Sequence, residues 1–313
     1  MRILKLAVVV GLLFVVSGTA GAITFEQPYT GPIRFKFASW DMATTYNTSQ
    51  IAKDTVFMAP GINNLPQTPP PGGSSPIPSG FGNAYAGQNE DQWGIYRVTE
   101  IRSDDGKDTL LWSGAKDNTS EIVGMFYGIV DNALYIDSTT GAVTIQSDGA
   151  QFKMFAQQKG TFSAEAGSSG RTAFNAYNTV GVSNSMLLLQ GVATEGVTPI
   201  AGTTGPATKM TKIDANTGIG KGDMYIDITG GAWQEMFADD VFAPPSPDGD
   251  LLLQSTLYPV QNRNGVFDWT MTNDDPMRGT IITPENVIPE PISMLTILGS
   301  MAGLGGYLKR RRA

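Results

Sequence analysis

Every second side chain is apolar across Ile33-Arg34-Phe35-Lys36-Phe37, and this two-residue period constrains the chain more than any other feature. Only a strand sends successive side chains to opposite faces, so such a run buries one face and leaves the other wet. The pattern returns at residues 142–146, where Val143 and Ile145 point inward, and at 224–229, where Met224, Ile226 and Ile228 face away from Asp223, Tyr225 and Asp227. At 266–271, Phe267, Trp269 and Met271 face away from Asp268 and Thr270. Two other runs, 93–101 and 121–130, carry apolar groups on both faces, which predicts central strands of a covered sheet. Within the second, Gly124 and Gly128 mark bulges or places where two backbones approach closely.

Further candidate strands lie at 151–157, 186–192, 232–237 and 251–255. Turns of Gly, Pro, Asn and Asp separate them. Short strands so punctuated predict one all-β domain, an antiparallel β-sandwich or barrel-like body with long Pro/Gly-rich loops. The loops fall at 60–82, which contains Pro69-Pro70-Pro71-Gly72-Gly73, and at 194–221 and 243–250. Only 172–180 reads as a short helix, and no repeat of fixed period emerges.

The chain begins with Arg2 and Lys5 ahead of an apolar run at 6–16, followed by Ser17-Gly18-Thr19-Ala20-Gly21-Ala22. A cationic start, an apolar stretch and an Ala20-x-Ala22 site read as a secretory signal peptide, residues 1–22, cut after Ala22. The expected partners are therefore signal peptidase and the general secretion machinery. The sequence has 21 basic and 29 acidic side chains. Without Arg2, Lys5 and four cations at the far end, 15 basic ones remain; without Glu290, 28 acidic ones remain, a balance near −13. Such a surface does not neutralise phosphates, which excludes nucleic acid as a partner. With no Cys, the body at 23–286 folds without disulfides. With no His, it has no Ser-His-Asp triad, no Cys-His dyad and no zinc site of the usual kind.

At the other end, Pro289-Glu290-Pro291 precedes an apolar run up to Leu308, and Lys309-Arg310-Arg311-Arg312 follow. As a helix the uncharged stretch from about 291 to 308 is about 27 Å long, just enough for a hydrocarbon core of about 30 Å. The cations hold its end in the cytoplasm and leave the body outside. Gly299-x-x-x-Gly303 within it is a spacing that helix pairs use. The order of motif, span and Arg-rich end, over 287–312, resembles the PEP-CTERM sorting signal of exopolysaccharide-producing Gram-negative bacteria. That resemblance implies that residues 287–313 are a sorting signal with one transmembrane helix. It also implies that an exosortase, an integral-membrane cysteine protease, recognises Pro289-Glu290-Pro291 and removes the tail. The precursor would then be anchored in the inner membrane with its body in the periplasm, and the mature form would be at the cell surface or outside. Gln92-Trp93-Gly94-Ile95-Tyr96-Arg97-Val98, Gly124-Met125-Phe126-Tyr127-Gly128, Gly230-Gly231-Ala232-Trp233 and Asn273-Asp274-Asp275-Pro276 are similar to a body type found among such proteins. No activity comes with that likeness.

Carboxylates are the abundant groups able to do acid–base work. Glycoside hydrolysis can run on two of them without histidine, and Glu100, Glu121, Asp131, Asp227 and Glu235 lie on sheet-like segments. Oxygen-rich turns at 104–108, 214–218 and 248–250 would be the places for calcium, although none has the ladder and closing Glu of an EF-hand loop, and Asp and Gly at turns ordinarily serve backbone geometry. Trp40, Trp93, Trp112, Trp233 and Trp269 either fill the core or stack on sugar rings. No phosphate loop, nucleotide fingerprint or cofactor motif is present, so no catalytic residue, metal or cofactor is expected. The expected function is that of a non-enzymatic exported surface or matrix protein, with exopolysaccharide as a further partner. The alternatives are a carboxylate-dependent glycoside hydrolase or lyase, and a calcium-dependent adhesion module.

Overall fold

The alternating run at 33–37 lies in β1 (Gly31–Ala43), which buries Ile33, Phe35 and Phe37 and leaves Arg34 and Lys36 half-buried. The computed structural model describes residues 23–59, 61–70, 75–79, 86–204, 207–237, 241–242, 249–259, 271–273 and 277–282. After β1 come the short β2 (Thr45–Tyr46), β3 (Val56–Met58) and β4 (Gln67–Thr68), then β5 (Gln92–Ser103), β6 (Leu110–Ser113), β7 (Ser120–Ile136) and β8 (Val143–Gln158). A small hairpin, β9 (Arg171–Ala173) and β10 (Ala176–Tyr177), precedes β11 (Met186–Thr194), β12 (Lys209–Ile213) and β13 (Gly220–Gly230). The series ends with β14 (Leu251–Pro259), β15 (Met271–Asn273) and β16 (Met277–Ile281).

All ladders are antiparallel, and they close a circle. β1 pairs with β5, β5 with β7, and β7 with β8. β8 then pairs with β12 along one half and with β11 along the other, and both reach across to β13, so these two strands share one place in the wall. β13 pairs with β14, and β14 with β15 and β16, which share the place next to β1. The seam closes where Ile281 faces Gly31 and Met277 faces Phe35. The result is a closed antiparallel barrel of eight staves, with β3 and β6 as extra strands on β7 and β5. Of the two expected architectures, the closed seam selects the barrel. Closure matters physically because the eight staves pair with one another around the ring instead of ending in two open edges.

Alternate residues of these strands fill the interior with Phe35, Phe37, Tyr96, Phe152, Met154, Met224 and Ile226. A cavity of about 40 Å³ remains among them, room for a few waters rather than an organic ligand. At the end where Gly31 meets Ile281, Ile23 and Phe25 pack with Trp233, Met236 and Phe237 and close the barrel. Two outer layers explain why β7 is buried on both faces. Residues from 162–180 cover Trp93, Ile95, Val123, Met125 and Tyr127. Tyr46, Ile51 and Ile62 cover Leu134, Ile136 and Ile145.

Several local expectations need correction. The helix expected at 172–180 is the β9–β10 hairpin, in which Ala176 pairs with Ala173. The strand expected at 232–237 is a 3₁₀ turn at Gln234–Met236, entered through Gly231 at φ +109°. The loop expected at 194–221 contains β12, whose Lys209–Ile213 complete the ladder between β8 and β13. The segments 142–146 and 151–157 are one strand, β8, bent where Gly149 and Ala150 both take φ of +81°. Among the described residues no helix is long and apolar enough to cross a membrane. The segments 1–22 and 287–313 lie outside the described residues, as does 243–248.

Candidate binding cleft

The far end of β1 carries the most developed polar feature of the barrel. There Thr44 follows the strand and Asp91 precedes β5, and the two are joined twice: Thr44 N–H donates to the Asp91 carbonyl at 2.8 Å and Thr44 Oγ1 to Asp91 Oδ1 at 2.9 Å. They line a cleft of about 640 Å³ together with Asn63, Gln67, Gln88 and Asn89. One wall is a 3₁₀ turn at Gly61–Asn64 followed by β4, tied back to β2 through Tyr46 opposite Gln67. The other wall, 87–90, is held by residues 75–77: Ile77 N–H donates to the Gln88 carbonyl at 2.9 Å and Glu90 N–H to the Ser75 carbonyl at 3.0 Å. Ile77 anchors this wall because its side chain is fully buried.

Beneath the floor lies a network of buried charges. Asp91 Oδ2 accepts the Asp131 backbone N–H at 2.9 Å. The Asp131 carboxylate accepts from Gln92 Nε2 at 2.9 Å, Ser147 Oγ at 2.7 Å and Tyr46 OH at 3.1 Å. Gln92 in turn accepts from the Lys209 ammonium, which also faces Asp41. Asp91 is pushed up to about 7, chiefly by burial and then by the neighbouring Asp131 charge. Burial likewise raises Asp131, against the hydrogen bond from Ser147 and the charge of Lys209. Asp41 is pushed up to about 6 by burial, with Lys209 opposing, and burial lowers Lys209. Such a group costs several kcal/mol unless it is paired and hydrogen-bonded; Asp131 and Asp41 have Lys209 beside them, whereas Asp91 has hydrogen bonds from Thr44 and the Asp131 N–H. Asp131 is fully buried and does not line the cleft, so among the described residues only Asp91 offers a carboxyl there.

Glu90, adjacent and with no exposed surface, pairs with Arg171 of the β9–β10 hairpin. It also accepts the Gly128 N–H at 2.9 Å. The Arg171 guanidinium lies over the Trp93 ring, 4.4 Å from its centroid, so the hairpin is fastened to the barrel by charge and by cation–π attraction.

The five carboxylates expected from the sequence are distributed as follows. Glu100 and Glu121 line a second, smaller pocket of about 380 Å³ with Arg97 and Lys159. Glu121 Oε1 accepts Phe162 N–H at 2.6 Å, whereas Glu100 lies 2.6 Å from Arg102 Nε, which with Lys36 holds its carboxyl below the usual range. Asp131 belongs to the network under the cleft, and Asp227 and Glu235 lie on β13 and the 3₁₀ turn at the opposite end of the barrel. Of the calcium turns, Asp104 faces Arg34 and Arg278, and Asp108 faces Arg34 and Arg102. Asp214 turns its Oδ1 onto the N–H groups of Asn216 and Thr217 at 2.9 Å each. Among the described residues, no three acidic side chains converge as metal ligands. Trp93, Trp112 and Trp233 are buried, and Trp40 packs on Phe162 at 5.4 Å. Trp269, Asp248, the cleavage residues Ala20 and Ala22, the motif Pro289, Glu290 and Pro291, and the cations Lys309, Arg310, Arg311 and Arg312 all lie outside the described residues.

Sequence reasoning passed over Asp91, Glu90, Asp41 and Lys209. The available signal was Asn89-Glu90-Asp91-Gln92, four polar residues leading directly into a strand that is buried on both faces. No family model, no curated protein and no solved structure matches this chain.

Proposed function

We propose that this is an exported, non-enzymatic surface or matrix protein, sorted through Pro289-Glu290-Pro291 and the span that follows, and associated with exopolysaccharide. The observation that carries the reading is the pairing of Gly31 with Ile281. The two ends of the barrel's chain leave side by side, so a signal peptide and a sorting tail attach to the same end. The cleft lies at the other end of β1, whose 13 residues extend about 40 Å along the strand at about 3.3 Å per residue. A body tethered this way presents its cleft away from the membrane. The test is the mass of the protein's C-terminus in cells with and without the exosortase. A shortened C-terminus only in cells with the enzyme supports the reading, and an identical C-terminus in both sinks it.

A second reading, a carboxylate-dependent glycoside hydrolase, has one observation in its favour, the sharing of a pocket by Glu100 and Glu121. Against it, the Arg102 pairing that lowers Glu100 suits a base or nucleophile and not the proton donor, which needs a raised pKa. Release of reducing ends from matrix polysaccharide, abolished in Glu121→Gln, would establish this reading.

A further inference from the structure

We infer that the cleft over Thr44 and Asp91 is a binding site for neutral saccharides, held through their hydroxyl groups. The inference rests on the chemistry of the lining: four carboxamides (Asn63, Gln67, Gln88 and Asn89), one hydroxyl (Thr44) and one carboxyl (Asp91). A carboxamide donates through its nitrogen and accepts through its oxygen, and each sugar hydroxyl does both from one atom, so adjacent hydroxyls and an amide edge satisfy each other. The volume of about 640 Å³ falls within the range of small-ligand sites, about 300 to 1,000 Å³. Among the described residues lining it there is no Lys or Arg, so a phosphate, sulfate or uronate would meet Asp91 without a counter-charge. A peptide is disfavoured because, among the described residues of the lining, only Ala59 and Pro69 offer apolar side chains to receive one.

The floor is rigid where recognition needs it to be. Asp91 is fixed by Thr44 Oγ1 on one oxygen and by the Asp131 N–H on the other. Both carboxyl oxygens keep lone-pair capacity for a sugar hydroxyl. The walls are fastened to the same barrel end by backbone hydrogen bonds, including Ala59 N–H to the Asn132 carbonyl at 2.8 Å. The ligand class extends the reading of the chain as a matrix protein and rests on it for its biological setting, although the binding itself does not.

The experiment uses the full-length protein in detergent micelles, titrated with short neutral gluco-, manno- and galacto-oligosaccharides and with matched uronic-acid oligosaccharides. At least one neutral series is expected to bind and the uronates to bind more weakly. A variant carrying N63A, Q88A and N89A should lose about tenfold or more in affinity, the effect of removing a few hydrogen bonds, with little change in melting temperature because all three side chains are exposed. Gln67 is left in place because its Nε2 donates to the Asn63 carbonyl at 3.2 Å. Gln88→Lys, a surface change that leaves the fold intact, should shift preference towards the uronates. Failure of every neutral series to bind, stronger binding of uronates by the unaltered protein, displacement of the sugar by a mixed peptide library, or full affinity in the triple variant would each overturn the inference. Binding in micelles does not depend on tail processing, so an uncut tail in cells and an empty cleft in vitro are separate failures.

Discussion

The ring of Tyr96 occupies the space that a side chain at Gly124 would need. The two face each other across β5 and β7, and the neighbouring pair is inverted, with Phe126 over Gly94. Each aromatic ring covers the bare backbone of the opposing glycine, a cross-strand exchange in which ring and glycine fit each other. Tyr96 also stacks on Phe152 with centroids 5.4 Å apart and donates to the Lys153 carbonyl at 2.7 Å. Gly124→Ala must displace the ring and the Lys153 carbonyl and so should cost about 1 to 3 kcal/mol, the range of overpacking. Gly230→Ala, where an added methyl meets nothing within 4 Å, should be close to neutral. Urea unfolding of both variants checks this.

Arg171→Met should destabilise the protein by about 3 kcal/mol near pH 8, because it leaves the Glu90 carboxylate buried without its cation. Burial already raises Glu90, and loss of Arg171 raises it further above its unfolded value of about 4.3. A folded value above the unfolded one means that the penalty is absent below about pH 4 and grows as pH rises. The loss should therefore shrink on acidification, and Glu90→Gln in the same background should relieve it. Stability measured against pH for the three proteins decides the matter.

Asp41 gives a pH window that can be read from its value. It is fully buried at the Lys209 end of the barrel interior and is pushed up to about 6, against about 3.9 in an unfolded chain. Its ionisation thus costs stability progressively between about pH 4 and pH 7, up to about 3 kcal/mol in total. Asp41→Asn should remove that slope, so that the variant gains on the unaltered protein across this window. Parallel stability curves from pH 4 to 7 would refute the assignment.

Two hairpin turns share one construction. Asp137 accepts from the N–H groups of Thr139 and Thr140 and from Thr140 Oγ1, and Asp214 does the same with Asn216, Thr217 and Thr217 Oγ1. The turns touch, since a methyl at Gly141 would lie 3.0 Å from Ala215 Cβ. Hydrogen bonds to the charged form lower both carboxyls. The contribution is present above the unfolded value of about 3.9 and is lost as pH falls through the folded one. Carboxyl titration by NMR should place both residues below free aspartate, and Asp137→Asn or Asp214→Asn should flatten the acid limb of the stability curve.

Much of the barrel was legible in the sequence because its signal is local. Alternation identified β1 and β13, the doubly apolar runs identified β5 and β7, Gly124 proved to be a close approach, and Gly128 lies where the β5–β7 register shifts, at φ +77°. What was not legible depends on partners distant in sequence. β12 has only five residues and no clear period, and it is a strand because β8 and β13 leave it a place. The 172–180 segment carries a weak helical pattern that is overridden when Arg171 is drawn to Glu90, eighty-one positions earlier. The cleft was hidden for a different reason. Its amides, Asn63, Gln67, Gln88 and Asn89, all lie in the long connection between β1 and β5, where polar residues in and beside a Pro/Gly-rich loop read as solvated turns.

Closure of the seam also sets an order of events. β1 is among the first strands made, yet the partner on its outer side, β16, follows roughly 250 residues later, a separation of the kind that slows folding. On the proposal that the chain is exported from its N-terminus, β1 would stay half unpaired through nearly all of that passage. The strand that completes the barrel, β16, ends at Ile281, only a few residues ahead of the proposed sorting motif at Pro289, so the last step of folding would nearly coincide with arrival of the tail.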